Sequence, residues 1–288
     1  MSSVTGPLRH GWRVVADEPL LLAGLLLLGA ICLFALLGPV FVPVAQADVG
    51  AVLPRQRPGL EFPLGTDIQG RSVLAALVLA TPQTLKIGFF AGVMGLGIGT
   101  LLGLTAGYFR GWSDTVIRTF ADVVMTIPGI AVLVLVATNV RSMTVVLMAL
   151  IVAGLAWMYP TRTVRAQTLS MRERAYVDIA RLNGISGLEL VLTEILPNLL
   201  PYIAASFVTA VTSAMLATIG LEALGLGPQN ELTLGMMIFW AQSYGAILRG
   251  LWWWWAPPVA MMAAIFIGLL MTSTGMDRLV NKRLRVEA

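Results

Sequence analysis

The sequence predicts an all-α integral membrane protein: six transmembrane helices, with one long polar loop past the middle of the chain. Three observations predict it. First, 57% of the 288 residues are hydrophobic and only 12% are charged, about half the charge of an average soluble domain. A soluble chain this apolar could not cover its surface with polar groups. Second, apolar runs of about 20 residues, the length a helix needs to cross a hydrocarbon core, recur six times along the chain. Third, lysine and arginine divide unequally between alternate loops, the usual signature of orientation in a membrane. Cys32 is the single cysteine and His10 the single histidine. Neither an intrachain disulfide nor a His/Cys metal cluster is available.

The first apolar run covers residues 20–43. It exceeds the roughly 7–15 residues of a secretory h-region, so it reads as a retained span. Pro43, Pro54, Pro58 and Pro63 mark the polar loop that follows. The second span is placed at 84–108 and carries Gly95, Gly99, Gly103, Gly107 and, just beyond it, Gly111. Glycine every fourth residue makes a smooth stripe that lets two helices approach closely in lipid. Packing within the chain is preferred over a subunit interface as its purpose. The third span, 117–139, contains Asp122 and Pro128, and the fourth, 143–160, is short. The fifth falls at 199–221 and the sixth at 252–274. The four tryptophans Trp252 to Trp255 cover every face of a helical turn. They read as an aromatic belt at the outer interface. The domain plan is a cytoplasmic N-terminal segment 1–19, a six-helix unit 20–275 and a cytoplasmic tail 276–288. With both termini inside, thirteen of the nineteen lysines and arginines fall on the cytoplasmic side.

The polar loop, 165–198, lies between the fourth and fifth spans. Met171, Ala175, Ile179 and Leu182 repeat at helical spacing and are expected on one face from Ser170 to Asn183. Arg174, Asp178 and Arg181 can pair along that helix. Gly184 is a helix stop, and Ser186-Gly187-Leu188-Glu189 is a capping box that starts a second short helix. Pro197 ends that helix or bends it into the fifth span. Helices this short are marginal in water without a partner. A solvated connector and a docking element remain equally open on this ground alone.

The loop resembles the EAA loop of permease subunits of bacterial ABC importers. Asp178-Ile179-Ala180, Gly184 and Leu196-Pro197 stand at that motif's spacing, with Asp178 in place of Glu and Ile179 in place of Ala. The flanking stretches starting at Arg172 and ending at Asn198 are similar to the oligopeptide, dipeptide and nickel branch. So is Phe62 to Gly88, where Gly65, Thr66, Asp67, Gly70 and Arg71 match the segment that follows the first span in that branch, and Ser72 replaces its usual Asp. The resemblance is to the C-type permease of the pair.

It implies the type I importer permease fold in a bacterial cell membrane, with a second homologous permease, two ATPase subunits and an extracellular binding protein as partners. The lipid bilayer is the expected surrounding, with no nucleic acid. It implies that Tyr176, Asp178, Ala180, Arg181, Gly184, Ile185, Ser186, Gly187, Glu189, Leu196 and Pro197 couple the permease to an ATPase. ATP and Mg would be bound by the partner subunits, with no cofactor on this chain. Lys86 and Lys282 are the only lysines, and neither precedes Ser or Thr, so a Walker A motif is missing. The chain is expected not to be an enzyme.

Asp122 and Glu222 are ionisable groups near apolar runs, where such groups are expensive and often functional. Asp122 reads first as a structural partner of Arg118, four residues earlier, and second as a pathway residue. Glu222, at the outer end of the fifth span, is a candidate pathway or gate residue that could instead reach interfacial water. Peptides and oligosaccharides, such as cello-oligosaccharides or other β-glucosides, stand level as cargo. A secondary transporter or channel is the alternative from another class, weakened by the absence of an internal repeat.

Overall fold

A computed structural model of the chain describes residues 18–280. His10, Arg9, Arg13, Lys282, Arg283 and Arg285 lie outside the described residues, as do most of the N-terminal segment and the end of the tail. The first span, α1, is Pro19–Phe41. The second, α2, is Val73–Phe109, about 55 Å of helix at 1.5 Å per residue. It begins eleven residues before the predicted start at 84. Pro82 lies inside it without ending it. Membrane helices tolerate proline where neighbouring groups satisfy the freed backbone.

The third predicted span is two helices, α3 (Gly111–Met125) and α4 (Gly129–Thr138), bent by 78° at the break containing Pro128. Proline removes a donor and disfavours helical geometry in the residue before it. The fourth is also a pair, α5 (Val145–Ala156) and α6 (Met158–Arg172), bent by 42° at Trp157. Helix α6 therefore continues through the first residues of the predicted polar loop. Next come α7 (Ala175–Leu182) and α8 (Gly187–Leu190). A single π-type turn, Val191–Ile195, runs from α8 into α9 (Leu196–Ala223). The fifth span is thus much longer than 199–221, and Pro197 does not end it. The turn widens the helix where the proline ring would otherwise crowd the preceding turn. The short helix α10 (Leu234–Ser243) has no counterpart in the sequence reading. The last span is α11 (Trp252–Val280).

Among the described residues four helices are long and apolar enough to cross a membrane, and up to six spans result if each bent pair counts as one. The chain divides into two compact units, with boundaries inside α2, α5 and α9 and a fourth between Asn139 and Val140, in the connection from α4 to α5. In the first unit, α1 lies against α11 through small residues on both. A Cβ at Gly24 would strike Thr272 and the Gly268 carbonyl, and one at Gly275 would strike Leu21. Outside these helices the loop 42–72 is fixed by its own hydrogen bonds and by Trp253, whose indole donates to the Thr66 carbonyl at 3.2 Å.

In the second unit, the glycine stripe of α2 works as an internal seam. A Cβ at Gly95 would meet Ala156, one at Gly99 would meet Pro160, one at Gly103 would meet Val164, and one at Gly107 would meet Thr168. Another side of α2 meets α9, where Gly92 faces the Val211 backbone. Gly111 does not belong to the stripe. It opens α3 with a φ of 63° and has open space around it.

Candidate functional site: a helical hairpin on the polar loop

The polar loop folds as a hairpin of two short helices. Arg172 ends α6, and Arg174, with extended backbone, caps the start of α7. The restart at Ala175 breaks the expected continuous helix from Ser170, so Met171 falls outside the face shared by Ala175, Ile179 and Leu182. The buried face is instead Val177 and Ala180, packed with Leu104, Tyr108, Val164, Leu190, Val191, Ile195 and Leu199. Tyr176, Ile185 and Leu196 lean on the same cluster. Asp178 pairs with Arg181 at 3.3 Å. Among the described residues the expected pair with Arg174 does not form; Arg174 stands in extended backbone at the start of α7.

Gly184 has a φ of 81°, a conformation costly for any residue with a Cβ. The Gly184 N–H donates to the Arg181 carbonyl (3.0 Å) and the Ile185 N–H to the Ala180 carbonyl (3.3 Å). These two bonds form a Schellman motif that closes α7. The Ser186 hydroxyl oxygen then accepts the Glu189 N–H at 3.3 Å, the forward half of the predicted capping box. Gly187 faces the Tyr108 ring, which a Cβ there would approach to 3.1 Å.

Pro197 is exposed. So is a row of large apolar side chains on the outside of the hairpin: Ile179, Leu182, Leu188 and Leu192, with Leu182 87% exposed and Leu188 62%. The sequence reading grouped Ala175, Ile179 and Leu182 on one face, and that face is the exposed one.

The other candidates fall elsewhere. Asp67 is buried in the loop 42–72, where Oδ1 accepts the Gln69 and Arg71 N–H groups, each at 2.8 Å. Burial pushes its pKa above the ordinary carboxylate value, and the backbone bonds and Arg71 pull the other way. The Thr66 hydroxyl donates to the Leu53 carbonyl (2.7 Å) and accepts the Gln56 N–H (2.8 Å). Gly65 and Gly70 take positive φ where Cβ atoms would strike the Gln56 and Val52 carbonyls. These residues, with Arg71, shape the loop. Glu222 is fully buried and neither reaches interfacial water nor faces open space. The Thr233 hydroxyl donates to its Oε1 at 2.5 Å, and Gly235 leaves room for its other oxygen.

Asp122 is exposed and forms no ion pair with Arg118 among the described residues. Arg165 is the cation it acts on, while Arg118 sits in the field of Asp114. Asp114 takes Arg165 in two hydrogen bonds, one from Nε and one from Nη2 at 2.7 Å. The tryptophan run is only partly a belt. Trp252 is exposed, but Trp253 and Trp254 are buried, and Trp254 stacks on Tyr244, which stacks on Trp240.

The arrangement is a membrane bundle carrying a structured polar hairpin with an apolar outer row. Comparison with known proteins agrees with it. A family model described as "Binding-protein-dependent transport system inner membrane component" matches residues 99–286. The chain is 31% identical to the oligopeptide transport system permease protein OppC of Mycobacterium tuberculosis over 219 residues, 75% of this chain and 74% of that one. It is 28% identical to the dipeptide transport system permease protein DppC of Alkalihalophilus pseudofirmus over 231 residues, 80% of this chain and 75% of that one. It is 30% identical to the glutathione transport system permease protein GsiD of Pectobacterium atrosepticum over 173 residues, 59% of this chain and 56% of that one. The matched region takes in the glycine seam from Gly99 onward, the hairpin and the last two spans, and the chain belongs to the family of inner membrane components of binding-protein-dependent transport systems.

Proposed function

We propose that this chain is one transmembrane permease subunit of an ATP-driven peptide importer, and that the hairpin at 172–198 is its docking point for an ATPase subunit. The exposed row Ile179, Leu182, Leu188 and Leu192 carries this reading. Four large apolar side chains on a polar loop are unfavourable in water, whereas an amphipathic helix set into a groove buries such a row. The base beneath the row is a packed cluster, so the hairpin meets a partner already folded.

A second permease would complete the passage, two ATPase subunits would bind and hydrolyse ATP with Mg, and an extracellular binding protein would deliver cargo. The positive-inside count supports a cytoplasmic hairpin with both termini on the same side. The relatives named for oligopeptides, dipeptides and glutathione favour peptides over oligosaccharides as cargo.

Leu182→Asp tests the docking. The side chain is almost fully exposed, so the substitution should change folding stability by no more than about 0.5 kcal/mol. Purified from its native membrane, the variant should keep the second permease and lose the ATPase subunits, and peptide uptake should stop. An ATPase still bound in native amount would rule out this surface.

A further inference from the structure

We infer that Tyr108, next to the end of α2, is the positioning residue that makes α2 move with the coupling hairpin. The inference rests on the importer reading above. Three pieces of the hairpin region close on this one side chain. The guanidinium carbon of Arg172, the last residue of α6, lies 5.6 Å from the ring centroid. That of Arg181, in the last turn of α7, lies at 5.6 Å as well. Gly187, the first residue of α8, faces the ring edge closely enough that a Cβ would come within 3.1 Å.

Both cations fall inside the roughly 6 Å at which an aromatic face attracts a guanidinium. The ring is only 8% exposed and Arg172 is half-buried, so water screens that contact less than the one with Arg181, whose side chain is 36% exposed. Arg172 adds a second hold, since its Nη1 donates to the Tyr108 carbonyl at 2.6 Å. That carbonyl belongs to the last turn of α2, where no intrahelical donor remains. Arg181 also meets Asp178 at 3.3 Å, an exposed pair that adds little.

Tyr108 is thus gripped through its ring and its backbone by groups from different helices of the hairpin region. A second link, Arg110 to Glu173 at 2.8 Å, joins the same segments, but its side chains are 48% and 64% exposed. Pairs so exposed contribute little. An ATPase that displaces the hairpin would therefore pull on α2 through the Tyr108 ring, beside the apolar packing at Leu104. A leucine would fill much of the space but offer no face to either cation.

The test uses the whole complex, with partner permease, ATPase subunits and binding protein, reconstituted in lipid nanodiscs. ATP hydrolysis is measured with and without binding protein carrying a mixed tripeptide pool. Tyr108→Leu should retain its ATPase subunits and basal hydrolysis, while stimulation by the binding protein falls about tenfold, the scale of two partly desolvated cation–π contacts. Tyr108→Phe should restore most of the stimulation, because it keeps the ring. Arg172→Met, whose arm occupies similar space, should reproduce the loss, and it decides the matter if the leucine variant fails to assemble. Native stimulation in both Tyr108→Leu and Arg172→Met overturns the clamp. So does a loss of basal and stimulated rates in equal proportion. A native complex that recruits no ATPase sinks the importer reading, and the clamp with it.

Discussion

Asp67 holds the outer loop together from a place where its own charge is a burden. Its Oδ1 fixes two backbone N–H groups, yet burial is the largest influence on the carboxyl and raises its pKa. A carboxyl whose pKa is higher folded than unfolded contributes most below the unfolded value of about 4, and that contribution is lost as pH rises through the folded pKa. Asp67→Asn keeps an acceptor for both N–H groups and removes the charge. Thermal melts of the two proteins in detergent should coincide in acid, and the asparagine variant should gain on the native chain as pH rises to neutrality. Asp67→Ala should lose about 1–3 kcal/mol at every pH, because two buried N–H groups lose their acceptor. If the asparagine variant melted below the native chain at neutral pH, the carboxylate charge would be stabilising and this account wrong. The segment from Gly65 to Arg71 was identifiable in the sequence, but the work it does was not. Thr66 depends on Leu53 and Gln56, and its carbonyl on Trp253, and no local spacing encodes those partners. Trp253 was assigned to a lipid-facing belt for the same reason.

At the level of elements, the glycine seam shows what a sequence pattern can and cannot specify. Recurrence every fourth residue marked one close-packed face of α2, and that face does pack inside the chain. The partners, Ala156 to Thr168 across the bend between α5 and α6, were not marked, because a small-residue stripe describes only its own side of a contact. Gly103→Val should destabilise the protein by about 1–3 kcal/mol through overpacking, since even a Cβ there would lie 2.8 Å from Val164 and from the Thr161 carbonyl. Gly97→Ala, with nothing within 4 Å, should leave the melting temperature in detergent unchanged or slightly raised. Equal effects at the two positions would mean that the seam is not a packing surface. The hairpin was legible for a different reason: its turn is made of local chemistry. Gly184 and Ser186 act within a few residues of themselves, and both did what their positions predicted. Of the four residues grouped on one face, only Met171 falls outside it, because the helix restarts at Ala175.

For the molecule as a whole, charge alone predicts the sidedness that the importer reading requires. Lysine and arginine near span ends stay on the cytoplasmic side, and the larger share of this chain's cations lies with the hairpin and the termini. The outer loop 42–72 and the hairpin should therefore be on opposite sides of the membrane. The single cysteine makes this measurable, since Cys32→Ser leaves a chain with no thiol. Leu60, fully exposed in the outer loop, and Asn183, exposed at the hairpin turn, can each be replaced by cysteine in that background. A membrane-impermeant maleimide added to intact spheroplasts should label Leu60→Cys and spare Asn183→Cys. In inside-out vesicles stripped of peripheral proteins the pattern should reverse. Restoring the ATPase subunits to those vesicles should then protect Asn183→Cys, because the hairpin would be covered. Labelling of both positions from the same side would contradict the odd number of spans between them, and with it the pairing of α3 with α4 and of α5 with α6 into single spans. Labelling of Asn183→Cys from outside alone would invert the molecule and place the hairpin beyond reach of any cytosolic ATPase.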